Sequence, residues 1–340
     1  MTMKVTIFSK NTLLFGTAVF LFSCNGCGPD EPKTPPKPVA EVYQKPAVQL
    51  PVPPFSADSA YVFVKKQLAF GPRVPNSEAH RNCKNWLAAE FKRFGATVIE
   101  QPFKAKRYDG QELECWNIIG QFRPENKRRI LLSAHWDSRF VSDHDPKIKD
   151  RPVPAADDGG SGVAVLLEIA RILQAHPVDI GIDLCLWDAE DQGQDSGGDP
   201  KSWCLGSQYW AKNRHIAGAM FGINLDMVGA KGATFPREKA SDQFAPIIVD
   251  KVWGLAASMG FQQYFVSDFD GPITDDHVII SQEGLIPCIN IIHLTLDNQT
   301  TFGGHWHTQG DDISVIDKGT LRAVGQTVTA VIYRSYNGTF

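Results

Sequence analysis

The sequence predicts an α/β protein, a three-layer α/β/α sandwich with a central mixed, mostly parallel sheet. Three observations carry that expectation. Short apolar runs alternate with helical patterns beyond residue 129, the signature of helices on both faces of a mostly parallel sheet. The run Ile130-Leu131-Leu132 is apolar throughout, as a strand covered on both faces must be. Acidic and histidine residues follow several of these runs directly, where diverging strand ends open a crevice.

Taken in order, a helical pattern runs from Phe55 through Phe70, and a second from Glu78 to Phe94, where Gly95 stops it. Two strand-like runs follow, Ala96 to Tyr108 and Leu113 to Phe122, and then Arg129 to Ala134. After Gly162, residues Val163, Leu166, Leu167 and Ala170 recur at the spacing that lines one face of a helix. Strands are expected at Ile182–Trp187, Ala219–Leu225 and Pro287–His293. Helices are expected at Gly206–His215, Phe244–Met259 and Asp317–Tyr336, the last with Leu321, Val324, Val328 and Val331 on one face.

The ends read differently. Lys4 and Lys10 precede an uncharged apolar run, Leu13 to Phe22, too short to span a bilayer, so residues 1–23 are expected to be a cleaved signal peptide. The run closes on Leu21-Phe22-Ser23-Cys24, which resembles a bacterial lipobox and implies a lipid anchor at Cys24 on the periplasmic face of a membrane. Residues 24–54 hold nine of the 22 prolines, a composition for an extended tether, leaving 55–340 as a single catalytic domain. The formal charge of -4 offers no basic field for a phosphate backbone, which excludes nucleic acid as the expected partner. An exported chain permits disulfides among the other six cysteines, with no pairing readable from spacing; Cys185 and Cys288 sit in apolar runs as small hydrophobes would.

Five clusters carry the chemistry: His135-Trp136-Asp137, Asp157-Asp158, Asp188-Ala189-Glu190-Asp191, Asp226 and Trp306-His307. A carboxylate at a strand end is often only a helix cap, but five such clusters in order suggest a metal site. Imidazole nitrogen and carboxylate oxygen are the ligands of catalytic zinc, with three protein ligands leaving one position open. Asp158, Asp191 and His307 supply such a set.

From Ala134 to Asp312 the succession His-x-Asp, Asp-x-Gly-Ser-Gly, paired acids, an Asp after an apolar strand and a late His-Thr resembles the zinc aminopeptidases. The resemblance implies that Glu190 is the proton shuttle and that Asp158, Asp191 and His307 bind zinc. Asp191 stands where glutamate is usual and is shorter by one methylene. His135 and Asp226 are available with Asp158 for a second metal, as in a dinuclear aminopeptidase; in a one-zinc enzyme His135 would instead bond a neighbouring acid, as would His277. Asp137 belongs to the same group of possible second-metal or supporting residues. His305 is the internal rival of His307.

The glutaminyl cyclases, which share this superfamily and bind one zinc per chain, are resembled more closely. Leu225-Asp226-Met227-Val228-Gly229 and Asp275-Asp276-His277-Val278 look like cyclase stretches, and Phe302 stands four residues before Trp306. That resemblance implies an enzyme that converts N-terminal glutamine of peptides or proteins to pyroglutamate with release of ammonia. It implies catalytic roles for Asp226 and Asp275, bonded to each other and to Glu190, and an aromatic pocket of Trp306, Phe302 and Trp203. An insertion at Gln192–Lys201 and an asparagine, Asn290, near the place of a cyclase histidine depart from the pattern, with His293 offset. The alternatives are a dinuclear aminopeptidase and, ranked lower, a non-catalytic zinc-binding lipoprotein.

Overall fold

The structure, a computed structural model, describes residues 48–195, 197–214, 218–267, 271–295 and 301–340. The expected signal run, Cys24, Cys27 and most of the proline-rich stretch lie outside the described residues. The packed chain starts earlier than the expected residue 55. Asn337 accepts from the Leu50 amide at 2.9 Å and donates to its carbonyl at 2.8 Å, so the last turn of the C-terminal helix captures the end of the tether.

Helices α1 (Ala57–Leu68) and α2 (Glu78–Arg93) open on Ser56 and Ser77, whose hydroxyls accept amide protons of their first turns. Strands β1 (Thr97–Lys106) and β2 (Glu112–Phe122) form an antiparallel pair, followed by β3 (Arg129–His135) and α3 (Gly160–Ala175). Next come β4 (Gly181–Trp187), α4 (Leu205–Lys212), β5 (Phe221–Asp226), α5 (Lys239–Phe244) and α6 (Pro246–Ser258). The chain ends with α7 (Asp276–Gln282), β6 (Cys288–Ile292) and α8 (Lys318–Asn337). The expected helix Gly206–His215 ends at Lys212, and His215 is outside the described residues. The expected helix Phe244–Met259 is α6, entered through Ala245 and Pro246, and α5 and α7 add two short helices that the periodicity did not announce. At six and seven residues they are too brief to show a repeating face.

The six strands lie in the order β1-β2-β4-β3-β5-β6. β1, β2 and β4 pair antiparallel, whereas β4, β3, β5 and β6 run parallel, so the sheet is mixed and mostly parallel as expected. Side chains alternate across it. Ile130 and Leu132 of β3 enter the core made with α1, α2, α3, α6 and α8, while Leu131 faces the smaller core with Trp210 of α4 and Ile280 of α7. The five described cysteines are buried thiols, and Cys185 and Cys288 pack in that smaller core.

The connection from β3 steps to β4 on one side, and the next crosses back to β5 on the other, which makes the carboxyl ends of β3, β4 and β5 the switch point of the sheet. The start of α3 must press close there. A Cβ on Gly162 would stand 2.4 Å from the Leu225 carbonyl oxygen and 2.8 Å from Ala134 Cβ, both fixed in the sheet. Gly162→Ala is therefore expected to cost at least about 1–3 kcal/mol, measured as a lower urea midpoint at unchanged slope.

Candidate active site

His135 ends β3, Asp226 ends β5, and Glu190 and Asp191 lie just beyond β4. Asp158 precedes α3, and His307 comes from the chain between β6 and α8. Asp158, Asp191 and His307 offer three ligand atoms within 4.8 Å of one another. His307 Nε2 is 2.9 Å from Asp191 Oδ1 and 3.7 Å from Asp158 Oδ2, so the shorter aspartate side chain does reach the histidine. A second group of the same size holds His135, Asp158 and Asp226. There His135 Nε2 is 2.9 Å from Asp158 Oδ1 and 3.3 Å from Asp226 Oδ1.

Asp137 takes no place in either group. Its carboxylate accepts the amides of Glu190 at 3.0 Å and Asp191 at 3.2 Å and the Gln192 side chain at 3.0 Å, while His135 Nδ1 stands 3.4 Å away. It shapes the turn that presents both acids. Asp188, first of that cluster, turns away to His80 at 2.9 Å. His277 pairs with Glu238 at 3.0 Å, and His305 pairs with Asp157 at 2.9 Å rather than with Asp158 or Asp191.

Glu190 is buried, and its Oε1 accepts from the Cys204 thiol at 3.3 Å. Burial, with the charges of Asp275, Asp191 and Asp276 outweighing His135, pushes its proton affinity well up. Burial also lifts Asp226, to about 8, with Asp275 and Asp158 adding to it against His135. Burial opposes charge on His307, yet Asp191 and Asp143 outweigh it and raise that imidazole to about 9.

Asp226 and Asp275, expected to act together, are close enough for the charge of Asp275 to raise the proton affinity of Asp226. Asp275 Oδ2 accepts from Asn290 at 2.5 Å and Asn224 at 3.0 Å, and Oδ1 caps α7 through the Asp276 amide at 2.5 Å. These three donors fix the orientation of Asp275, while Asp226 Oδ1 lies 3.3 Å from His135 Nε2. Asn290, noted from sequence only as a departure, thus supports an acid of the site. Sequence reading missed Asn224, Asp311 and Arg139. Asp311 accepts the amides of Asp157 at 2.8 Å and Asp158 at 3.1 Å; Arg139 donates to the Asp191 carbonyl at 3.2 Å. A polar Asn224 within a buried strand was the one available signal.

Five of the eight non-glycine residues with positive φ among the described residues sit here: Ala155, Ala189, Cys204, Met227 and His307. Each costs on the order of 1–3 kcal/mol, and such strain gathers at functional sites. The acids open into a cleft of about 300 Å³ walled by Trp203, Ile292, Phe302 and Trp306. Trp306 stacks on His307 with ring centroids 3.7 Å apart, and Phe302 leans on Trp306 at 4.5 Å. Trp203 seats against Gly193, where a Cβ would meet its ring at 2.1 Å, so the inserted segment forms part of the wall.

A sequence model described as peptidase family M28 matches residues 117–332, more than half of the chain. The chain belongs to peptidase family M28. Among solved structures, this M28 protein is similar to Tannerella forsythia glutaminyl cyclase, 50% identical with a TM-score of 0.81 over 83% of this chain and 99% of that one. A Zn-dependent exopeptidase from Parabacteroides distasonis is 51% identical, with the same TM-score and the same two coverages. Aminopeptidase YwaD of Bacillus subtilis is 29% identical over 250 residues, 69% of this chain, which spans only 48% of that relative's length. The protein is therefore an enzyme of the glutaminyl cyclase and M28 zinc-peptidase-like family.

The residues fit a zinc ion. In the Asp158–Asp191–His307 group, Asp191 Oδ2 is a buried polar atom without a hydrogen-bond partner, a costly arrangement unless something else satisfies it. Two carboxylates and one imidazole are a zinc donor set with room for a fourth ligand.

Proposed function

We propose that this protein is a glutaminyl-peptide cyclotransferase, converting N-terminal glutamine of peptides or proteins to pyroglutamate with release of ammonia. The observation that carries this reading is Glu190, buried with a raised proton affinity beside the Asp158–Asp191–His307 group, in a cleft of about 300 Å³ walled by Trp203, Phe302 and Trp306. The likeness to a glutaminyl cyclase at 50% identity supports it.

Asp158, Asp191 and His307 would hold one zinc ion in the cleft, which supplies Lewis-acid polarisation of the γ-carboxamide carbonyl. The aromatic wall of Trp306 and Phe302 confines the glutamine so that its α-nitrogen lies against its own γ-carbon, and proximity replaces a bimolecular encounter. The new bond joins α-nitrogen to γ-carbon, and the γ-carbon to amide-nitrogen bond breaks. Glu190 takes a proton from the α-nitrogen and returns one to the departing nitrogen, which leaves as ammonia. A group serving as base and then acid works best with a proton affinity near the working pH, which the buried, negatively charged surroundings of Glu190 favour. Asp275, fixed by Asn224 and Asn290, is one of those charges.

A second reading, a dinuclear aminopeptidase, draws on the His135–Asp158–Asp226 group. One assay separates them: incubation with a glutamine-initiated peptide, read by mass. Loss of ammonia is the expected result, and loss of a whole residue would replace the cyclase by the peptidase.

Export and anchoring through Cys24 at the periplasmic face of a bacterial membrane are part of the same proposal. Cys24→Ser is expected to move the protein from the membrane fraction to the soluble fraction; unchanged fractionation would remove the anchor.

A further inference from the structure

We propose that Asp157, His293 and His305 form a second divalent-cation site that shares no ligand with the cleft and takes zinc or a metal of similar softness. Their ligand atoms lie within 4.8 Å of one another. His305 Nε2 is 2.9 Å from Asp157 Oδ2, the same separation as His307–Asp191 and His135–Asp158 in the cleft. Two ligands about 2.0–2.1 Å from a tetrahedral zinc stand roughly 3.3 Å apart, so the His305–Asp157 pair needs only a few tenths of an ångström of movement. Two imidazoles and a carboxylate suit zinc and its neighbours over magnesium or calcium, which prefer oxygen.

Two further observations point to a ligand. His293 is only 7% exposed, yet its Nδ1 has no hydrogen-bond partner. Gly303 lies across both rings, which stack with centroids 6.1 Å apart, and a Cβ there would meet Cε1 of His293 and Cε1 of His305 at 2.8 Å each, so this position has to be bare for the histidines to sit side by side.

The supporting contacts are those of a built site. The second oxygen of Asp157 accepts from the Gly229 amide at 2.7 Å, and its own amide donates to Asp311. The His305 carbonyl accepts the Thr308 hydroxyl at 2.7 Å. Such outer bonds orient ligands and raise affinity. Asp157 and Asp158 are neighbours, as are His305 and His307 two residues apart, and each pair divides between the two groups. A cation here would tie the chain that carries Trp306 and His307 to the turn that carries Asp158.

The test is the zinc content of the purified full chain after equilibration with zinc and desalting. Two ions per chain are expected, falling to one in His293→Asn and in His305→Asn, each with unchanged circular dichroism, so that either variant suffices if the other fails to fold. His307→Asn is also expected to retain one. One ion per chain that His307→Asn removes and His305→Asn leaves would overturn this site while sparing the cleft zinc. One ion removed only by His305→Asn would establish this site and overturn the cleft zinc instead.

Discussion

Glu190→Gln is expected to lower kcat for ammonia release by on the order of 10²- to 10⁴-fold, the usual worth of a positioned acid–base group. Zinc content and KM are expected to stay near the parent's. The substitution keeps the shape of the side chain, and the amide oxygen still accepts from the Cys204 thiol that stands 3.3 Å from Glu190 Oε1. What disappears is the exchangeable proton. Stability is expected to hold or rise, because the change removes one negative charge from a buried set that includes Asp275, Asp191 and Asp276. A variant that turns over like the parent would withdraw the shuttle role from Glu190; one that unfolds earlier would show that the carboxylate is needed for packing.

Asp137→Asn is the second large effect, and here structure and rate are expected to fall together. Both oxygens of Asp137 accept: Oδ1 from the Glu190 amide, Oδ2 from the Asp191 amide and the Gln192 side chain. An asparagine must turn an NH₂ toward one of these donors, leaving a buried amide unpaired and removing one of the three carboxylates that face His135. The cost is about 2–4 kcal/mol for a buried charge-assisted set. With the turn before Asp191 loosened, kcat is expected to drop about 10²-fold through misplaced groups. Urea unfolding and steady-state kinetics on one sample read both.

The pH dependence of Asp137 has a definite sign. Burial works against its charge, but His135, Gln192 and the Glu190 amide outweigh it and hold its proton affinity below the ordinary value. Its contribution is complete above the unfolded-state range near pH 4 and is lost as pH falls through the folded value. The parent is therefore expected to lose more stability than Asp137→Asn on acidification below that range.

The sequence by itself determined the α/β class, the parallel part of the sheet and the set of acids and histidines worth examining. Strand and helix periods arise from backbone geometry within a few residues, so Ile130 to Leu132 and Val163 to Ala170 declare themselves locally. Chain order against known families brought out Asp158, Asp191 and His307, and the fold does bring these three together.

Tertiary structure alone decided what each acid touches. The partners of Asp157 and Asp158 at Asp311 lie 154 and 153 positions away, and the Asn224 bond to Asp275 spans 51. Asp137 became the support of the Glu190 turn, Asp226 met His135, and Leu50 joined the packed domain through Asn337. No spacing rule encodes such pairs. They depend on which strand ends meet at the switch point of the sheet, and that is set by the burial of the whole core rather than by any local stretch.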